Sequence, residues 1–236
     1  GRAMALEAGK HGAHVGLVAR RAELLEELVA ELRKEGVEAA YAAADVVDSD
    51  GLTQAVHDLE SALGPVYGLI ANAGIAGNTK RGRLHVENAN RCIDVNVKGV
   101  IHSIGAVQGG MLERNEGFIS TVSSLAAYRG LPTSGPYSAS KAAVSTLMES
   151  LRVDLRSSGL TFTTIHPGFV HTPLTAKVSH PLPFVISSER AATIMLKGLA
   201  KGKREINYPW QLSTLMSVVR RLPNFLYDWT LSKTVR

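Results

Sequence analysis

Short apolar runs alternate with amphipathic stretches along almost the whole of this chain, and that alternation restricts the fold more than any single motif. Runs of strand length fall at residues 14–19, 38–44, 66–71, 117–122, 161–166 and 205–208. Between them the apolar spacing becomes helical. Residues 21–34 place Leu24, Leu25, Leu28, Val29 and Leu32 on one face, and residues 50–63 do the same with Leu52, Ala55, Val56 and Leu59. Further helices are predicted over residues 1–11, 87–114, 138–156 and 187–201. A helix between successive strands carries the chain back to the starting edge, so the strands run parallel and both faces of the sheet need cover. The predicted architecture is an α/β fold on a doubly wound parallel sheet. No linker-like stretch divides residues 1–236, so a single domain is expected.

Composition and charge remove several functions. The single cysteine, Cys92, leaves no disulfide framework and no cysteine-rich metal site. The acidic run after Asp45 does not fit a calcium loop, because the required register would make Val46 and His57 ligands. No metal site is expected. There is no Asn-x-Ser/Thr acceptor, no secretory leader and no apolar run near the ~18 residues of a membrane span, so a reducing, cytoplasmic setting is expected. The formal charge of +5 is unevenly distributed. Residues 197–236 hold eight Lys/Arg against Glu205 and Asp228, whereas residues 1–196 hold eighteen against nineteen acids. A nucleic-acid surface needs basic groups over a whole face, so none is expected.

The most specific chemistry lies between Ser123 and Lys141. Ser134, Gly135 and Pro136 signal the start of a helix, since proline in a first turn gives up no needed N–H. On that helix Tyr137 and Lys141 are four apart and project from one face. A free phenol, with a pKa of ~10, is a poor base at neutral pH, but a nearby ammonium favours the phenolate and makes the group able to exchange a proton. Ser123 and Ser124 close the strand at 117–122, and side chains at the carboxyl end of a parallel strand line the ligand crevice. A hydroxyl there can hold a carbonyl oxygen while the tyrosine protonates it. Tyrosine and lysine meet at this spacing by chance in many helices, and paired serines after a strand commonly form turns. The specificity comes from the combination: strand, Ser-Ser, a Gly/Pro loop, then Tyr-Ser-Ala-Ser-Lys.

In that combination the sequence resembles the short-chain dehydrogenases/reductases, whose active site has a serine thirteen residues before a tyrosine and a lysine four after it. The matching residues here are Ser124, Tyr137 and Lys141, with Ser123 a neighbour. The resemblance implies a Rossmann-like sheet and an oxidoreductase that interconverts a carbonyl and an alcohol by hydride transfer with a nicotinamide cofactor. It also implies that Asn96, in Asp-Val-Asn-Val-Lys-Gly, supports a proton path to the active-site lysine. Asn72-Ala73-Gly74 and Pro167-Gly168-Phe-Val170-His-Thr172 match the family's cofactor-contacting segments, and Asp45 with Val46 falls where the adenine is held. Tyr137 and Lys141 would also touch the cofactor. The first strand ends in Val-Ala-Arg20-Arg21 with no carboxylate, and an arginine there accommodates a 2′-phosphate, so NADP(H) is expected over NAD(H). His166 and His171 are expected to be bystanders.

The resemblance runs from Gly1 to about Tyr208 and departs from the family at the beginning. Members open with a central strand and a Gly-rich turn that holds the pyrophosphate at a helix N-terminus. Neither is in this sequence, which reads as lacking about 15–20 residues. In the family's strand order that strand lies between residues 14–19 and 66–71, so those two runs are expected to show unpaired edges or collapse together, and cofactor binding is expected to be poor without it.

Residues 75–83, 125–133 and 172–186 would form the substrate pocket. Leu174, Leu182, Pro183, Phe184 and Val185 suggest a largely apolar carbonyl or alcohol substrate. Residues 209–236 read as a basic, amphipathic helical extension, with Leu212, Leu215, Met216, Val219 and Leu222 in one stripe and Phe225, Leu226 and Trp229 in another. Two uses stay open for it: cover for the pocket or an oligomer interface, and peripheral contact with a membrane through Arg220, Arg221 and the tryptophans. The long helices at 87–114 and 137–156 resemble those of the family's dimer bundle, which implies a homodimer or homotetramer. Two other functions remain open: a catalytically silent cofactor-binding module, and an epimerase or dehydratase using the same Tyr-x-x-x-Lys pair.

Overall fold

The computed structural model describes residues 1–79, 82–173, 175–176 and 182–232. Six strands and nine α-helices alternate among them as the apolar pattern predicts. In chain order they are α1 (Arg2–Lys10), β1 (Val15–Ala19), α2 (Ala22–Lys34), β2 (Ala39–Ala43), α3 (Ser49–Leu63), β3 (Gly68–Ala71), α4 (Val86–Ile93), α5 (Gly99–Arg114), β4 (Gly117–Val122), α6 (Gly135–Asp154), β5 (Leu160–Pro167), α7 (Ser188–Ala200), β6 (Glu205–Tyr208), α8 (Trp210–Arg221) and α9 (Asn224–Ser232). The single long helix expected over 87–114 is a composite. A π-helical turn, Asp94–Lys98, joins α4 to α5.

All strand pairs are parallel, in two hydrogen-bonded groups, β1-β2 and β3-β4-β5-β6. Strands β1 and β3 are not paired with each other, so the expected unpaired edges are present and the expected collapse is not. The cost is visible in burial. Run 14–19 has the composition of a buried strand, yet only Val15 of β1 is buried, whereas central β4 and β5 are buried along most of their length.

Helices cover both faces. On one, α5 and α6 lie on β3, β4 and β5 through Val100, Ile104, Val107, Met111, Val144 and Met148, which close over Ile119 and Phe162. Each such side chain contributes about 1.5–3 kcal/mol when withdrawn from water. On the other, α1 and α2 pack on β1 and β2 through Ala5, Leu28, Val29 and Leu32, and α7 packs on β5 and β6 through Ala191 and Met195. Thr193 Oγ1 donates to Glu7 Oε1 at 2.8 Å and ties α7 to α1.

The strands are parallel, so their carboxyl ends share one rim. Local chemistry turns the chain sharply there. Asp45 Oδ1 accepts from Val47 N at 3.1 Å, and Asp48 Oδ1 caps α3 by accepting from Gly51 N at 3.1 Å. At the opposite edge of the sheet, before β4, helix α5 is stopped by Asn115 in the left-handed conformation (φ 53°). The C-terminal stripe splits into two uses. Leu212 and Met216 of α8 are buried against Leu125, Tyr128, Leu131 and Phe169, whereas Leu215 and Val218 face outward together with Trp210, Phe225 and Trp229. No helix among the described residues is long and apolar enough to cross a membrane.

Candidate active site

Strand β4 ends at Val122 and delivers Ser123 and Ser124 to the rim. Ser124 caps a short 3-10 turn, Leu125–Ala127, its hydroxyl accepting from Ala126 N at 3.1 Å. The chain returns through α6, which opens with Pro136 in its first turn and brings Tyr137 and Lys141 back beside the serines. Tyr137 is half-buried beside the Ser124 side chain, which acts on its phenol, and Lys141 Nζ lies 5.8 Å from the centre of the tyrosine ring. The predicted serine, tyrosine and lysine therefore meet in one small volume.

Their electrostatics differ from the expectation. Lys141 is 3% exposed, and its ammonium donates to the Val122 carbonyl at 2.6 Å. Burial lowers its pKa from 10.5 to about 8, against which the Cys92 sulfur acts weakly. Burial also pushes the Tyr137 phenol above its ordinary value, the Ser124 hydrogen bond opposes this, and Cys92 adds to it. The lysine was expected to draw the phenol down. In this arrangement desolvation dominates the phenol, and the ammonium is spent on a main-chain carbonyl.

Asn96, in the π turn, is fully buried. Its Nδ2 donates to Ile75 O at 3.0 Å and to Ser140 Oγ at 2.9 Å, and its Oδ1 accepts from Ile75 N at 2.8 Å. The amide is a clamp between α4–α5, α6 and the loop after β3. Ser140 completes the link by donating to Tyr137 O at 2.7 Å. Sequence reasoning passed over Ser140. Its signal was its place three residues after the tyrosine and one before the lysine.

The remaining predicted residues lie along the same rim. Asn72, Ala73 and Gly74 run out exposed from β3. A Cβ on Gly74 would stand 3.3 Å from both Asn96 Oδ1 and Lys141 Nζ, so glycine keeps a shallow cradle open beside the lysine. Arg20 and Asp45, ending β1 and β2, form an exposed ion pair at 3.6 Å. Val46 packs on Gly99, and its carbonyl lies 2.9 Å from His102 Nδ1, so its role here is to seat β2 against α5. Gly168 N donates to Tyr208 O at 2.6 Å, and the glycine face is pressed by Leu212 and Pro209. Val170 bridges to Ile186, while Val170 O accepts from Thr175 Oγ1 at 2.6 Å and Thr172 N donates to the same hydroxyl at 3.1 Å. Of the apolar pocket residues, Leu174 lies outside the described residues, and Phe184 is exposed with φ 54°.

The tail closes one side of this rim. Arg129 Nη1 donates to Leu222 O at 2.9 Å and Arg220 O at 3.2 Å, and its Nη2 donates to Asn224 Oδ1 at 2.7 Å. The same guanidinium stacks on Tyr227, whose hydroxyl donates to Gly130 O.

A parallel α/β sheet with helices on both faces, and a Tyr–Lys–Ser cluster at its carboxyl rim, is the arrangement of a Rossmann-like enzyme domain. Comparison with known proteins makes the class specific. The short chain dehydrogenase family model matches residues 1–182. An uncharacterized oxidoreductase of Myxococcus xanthus is 40% identical over 228 residues, covering 97% of this chain and 90% of that protein. An acetoacetyl-CoA reductase of Synechocystis is 34% identical over 185 residues, 75% of this chain and 77% of that one. An actinorhodin polyketide ketoreductase variant solved with NADPH superposes with a TM-score of 0.83 at 28% identity, over 90% of this chain and 92% of that chain. The chain belongs to the short-chain dehydrogenase/reductase family, and its sheet is the Rossmann-like sheet the sequence predicted.

Proposed function

We propose that the protein is an NADP(H)-dependent oxidoreductase that interconverts a carbonyl and an alcohol at the Ser124–Tyr137–Lys141 cluster. The observation that carries this is the convergence of a half-buried phenol, a neighbouring serine hydroxyl and a buried ammonium at the open end of β4. The cradle left by Gly74, and a cation at the end of β1, fit a nicotinamide dinucleotide with a 2′-phosphate. Arg20 would leave its open pairing with Asp45 to meet that phosphate, at little cost because the pair is solvent-screened. Bound there, the cofactor supplies or accepts the hydride, which no side chain can do.

The chain's own residues handle the proton and the geometry. Ser124 holds the carbonyl oxygen, and Tyr137 gives that oxygen its proton in reduction or takes it back in oxidation. Lys141 keeps a cation beside the developing phenolate, which lowers the phenol only once the ammonium turns from Val122. Asn96 acts as a positioning residue, fixing Ile75 and, through Ser140, the Tyr137 turn. Asn72, Ala73, Gly74, Val46, Pro167, Gly168, Val170 and Thr172 would line the cofactor along the rim. The relatives named as acetoacetyl-CoA reductase and polyketide ketoreductase support a ketone substrate, and the apolar wall of Leu125, Leu131, Leu212 and Met216 supports a largely hydrophobic one. Exposed Ile101 and Leu112 on α5 and Val153 on α6 support a homo-oligomer built on those helices.

The test is NADPH oxidation by the full-length protein over a panel of ketones and aldehydes such as 2-decanone, acetophenone and decanal. Tyr137→Phe is expected to remove turnover while cofactor affinity, read by NADPH fluorescence, stays within about twofold. Activity like that of the parent in this variant would refute the assignment. Cofactor binding without turnover in the parent would favour the silent module.

A further inference from the structure

The two tail helices carry an apolar surface for which the core has no room. Among the described residues the most exposed large hydrophobic side chains are Trp210 (71%), Phe225 (70%) and Trp229 (64%), and Leu215 and Val218 are more than half exposed. Both tryptophans of the sequence are in this group. At about 100° per residue, Trp210, Thr214, Val218 and Arg221 fall on the side of α8 opposite Leu212 and Met216. Those two are already buried against Leu125, Tyr128, Leu131 and Phe169. On α9 the same count puts Phe225 and Trp229 opposite Tyr227, whose hydroxyl donates to Gly130 O and whose ring lies against the Arg129 guanidinium. Arg129 fixes both helices at once, donating to Leu222 O where α8 ends and to Asn224 Oδ1 where α9 begins. The inner faces are taken, so the outer faces cannot turn in. Apolar surface held outward in this way marks a contact site.

Helix length and charge say what the contact is with. The helices have 12 and 9 residues, against the ~20 that a membrane-spanning helix needs, so they can lie along a surface and not pass through it. Residues 209–236 hold Arg220, Arg221, Lys233 and Arg236 against the single acid Asp228. Lys233 and Arg236 lie outside the described residues. Arg220 lies over the Tyr128 ring at 5.6 Å and is engaged with the body of the protein. Arg221 is the cation of the outer face, exposed on the same side as Trp210 and Val218, its Nη1 donating within the helix to Ser217 O at 3.2 Å. Indole rings beside a guanidinium match the headgroup layer of a bilayer: the ring body enters the acyl boundary, its N–H stays in the wet zone, and the guanidinium meets phosphate. A second copy of this chain would bring the same positive excess to the contact, whereas anionic lipid neutralises it.

We propose that the outer face of α8 and α9 docks on an anionic lipid bilayer, with Trp210, Val218, Phe225 and Trp229 at the acyl boundary and Arg221 on lipid phosphate. This holds whatever reaction the Tyr137 site performs.

The experiment is flotation of the full-length protein with vesicles of phosphatidylcholine alone and of phosphatidylcholine mixed with phosphatidylglycerol, with tryptophan emission read in parallel. The protein is expected to rise with the anionic vesicles at low salt, to bind the neutral ones at least about tenfold more weakly, and to be released as salt approaches about 0.5 M. Emission should move to shorter wavelength by about 10 nm on binding, because both tryptophans are in the contact. Arg221→Glu is expected to weaken binding by about fivefold or more, and Trp210→Ser combined with Phe225→Ser by about tenfold or more. Both variants should unfold in urea near the parent's midpoint, since these side chains lie outside the core. Should the double variant fail to fold, Arg221→Glu carries the comparison. Absence of flotation at low salt, equal binding to neutral vesicles, or binding that neither variant weakens overturns the proposal. If the parent stays off vesicles and sediments as an oligomer that the double variant dissociates, the face belongs to a second copy and the bilayer is refuted.

Discussion

Replacing Lys141 by methionine separates what the lysine does for catalysis from what it costs the fold. Its pKa falls from 10.5 to about 8 because the ammonium is buried. Between those values the unfolded chain binds a proton at this site that the folded protein does not, so unfolding free energy rises with pH across the window. At 1.36 kcal/mol per unit, the full span is worth about 3 kcal/mol, of which roughly 2–3 kcal/mol develops between pH 7 and pH 10. The hydrogen bond from Nζ to Val122 O returns about 1.5–3 kcal/mol at pH 7, since its donor is charged. Methionine has a similar length and no charge to bury. Lys141→Met is therefore expected to be inactive yet within about 2 kcal/mol of the parent at pH 7, where desolvation and hydrogen bond nearly cancel. The measurement is urea unfolding of both proteins at pH 7, 8, 9 and 10, followed by the fluorescence of Trp210 and Trp229. The parent should gain on the variant as pH rises, and taking the difference removes the titration of other groups such as Tyr208. A difference that stays flat, or moves in the variant's favour, would show that the lysine is not held in a desolvated site.

Two further changes probe the cofactor end and the tail. Arg20→Ala should reduce the preference for NADPH over NADH in kcat/KM by at least about tenfold while NADH kinetics hardly change, because a 2′-phosphate would lose its cation; an unaltered ratio would remove Arg20 from the site. Arg129→Ala cuts three hydrogen bonds and one ring stack between the 125–131 segment and the tail, so hydrogen exchange over residues 210–232 should quicken and Tm should fall by a few degrees, about 1–3 kcal/mol. Unchanged exchange there would mean that Leu212 and Met216 hold the tail without the arginine.

The Tyr–Lys pair was legible because a helix repeats every 3.6 residues: whatever else happens, residues four apart on α6 face one way. The rim positions of Ser124, Asn72 and Gly168 were legible for a similar reason, since an apolar run that ends in small or polar residues marks a strand's carboxyl end. Ser140, Ser145 and the contacts of His166 were not. Their partners lie in the π turn between α4 and α5, just past the end of β4, and on β5 and β6, up to 44 residues away in sequence, and a serine inside a helix carries no mark of what it will meet.

By itself the order of residues determined the alternation of strand and helix, the parallel sheet, the rim on which chemistry can occur and the spacing of its principal groups, because each follows from local periodicity and turn chemistry. Tertiary structure alone decided the sign of the Tyr137 shift, the carbonyl that takes the lysine's charge, the inward use of only half the α8 stripe and the incomplete burial of β1. These depend on how much water and which neighbours reach a group, and that is set by segments distant in the chain closing over it.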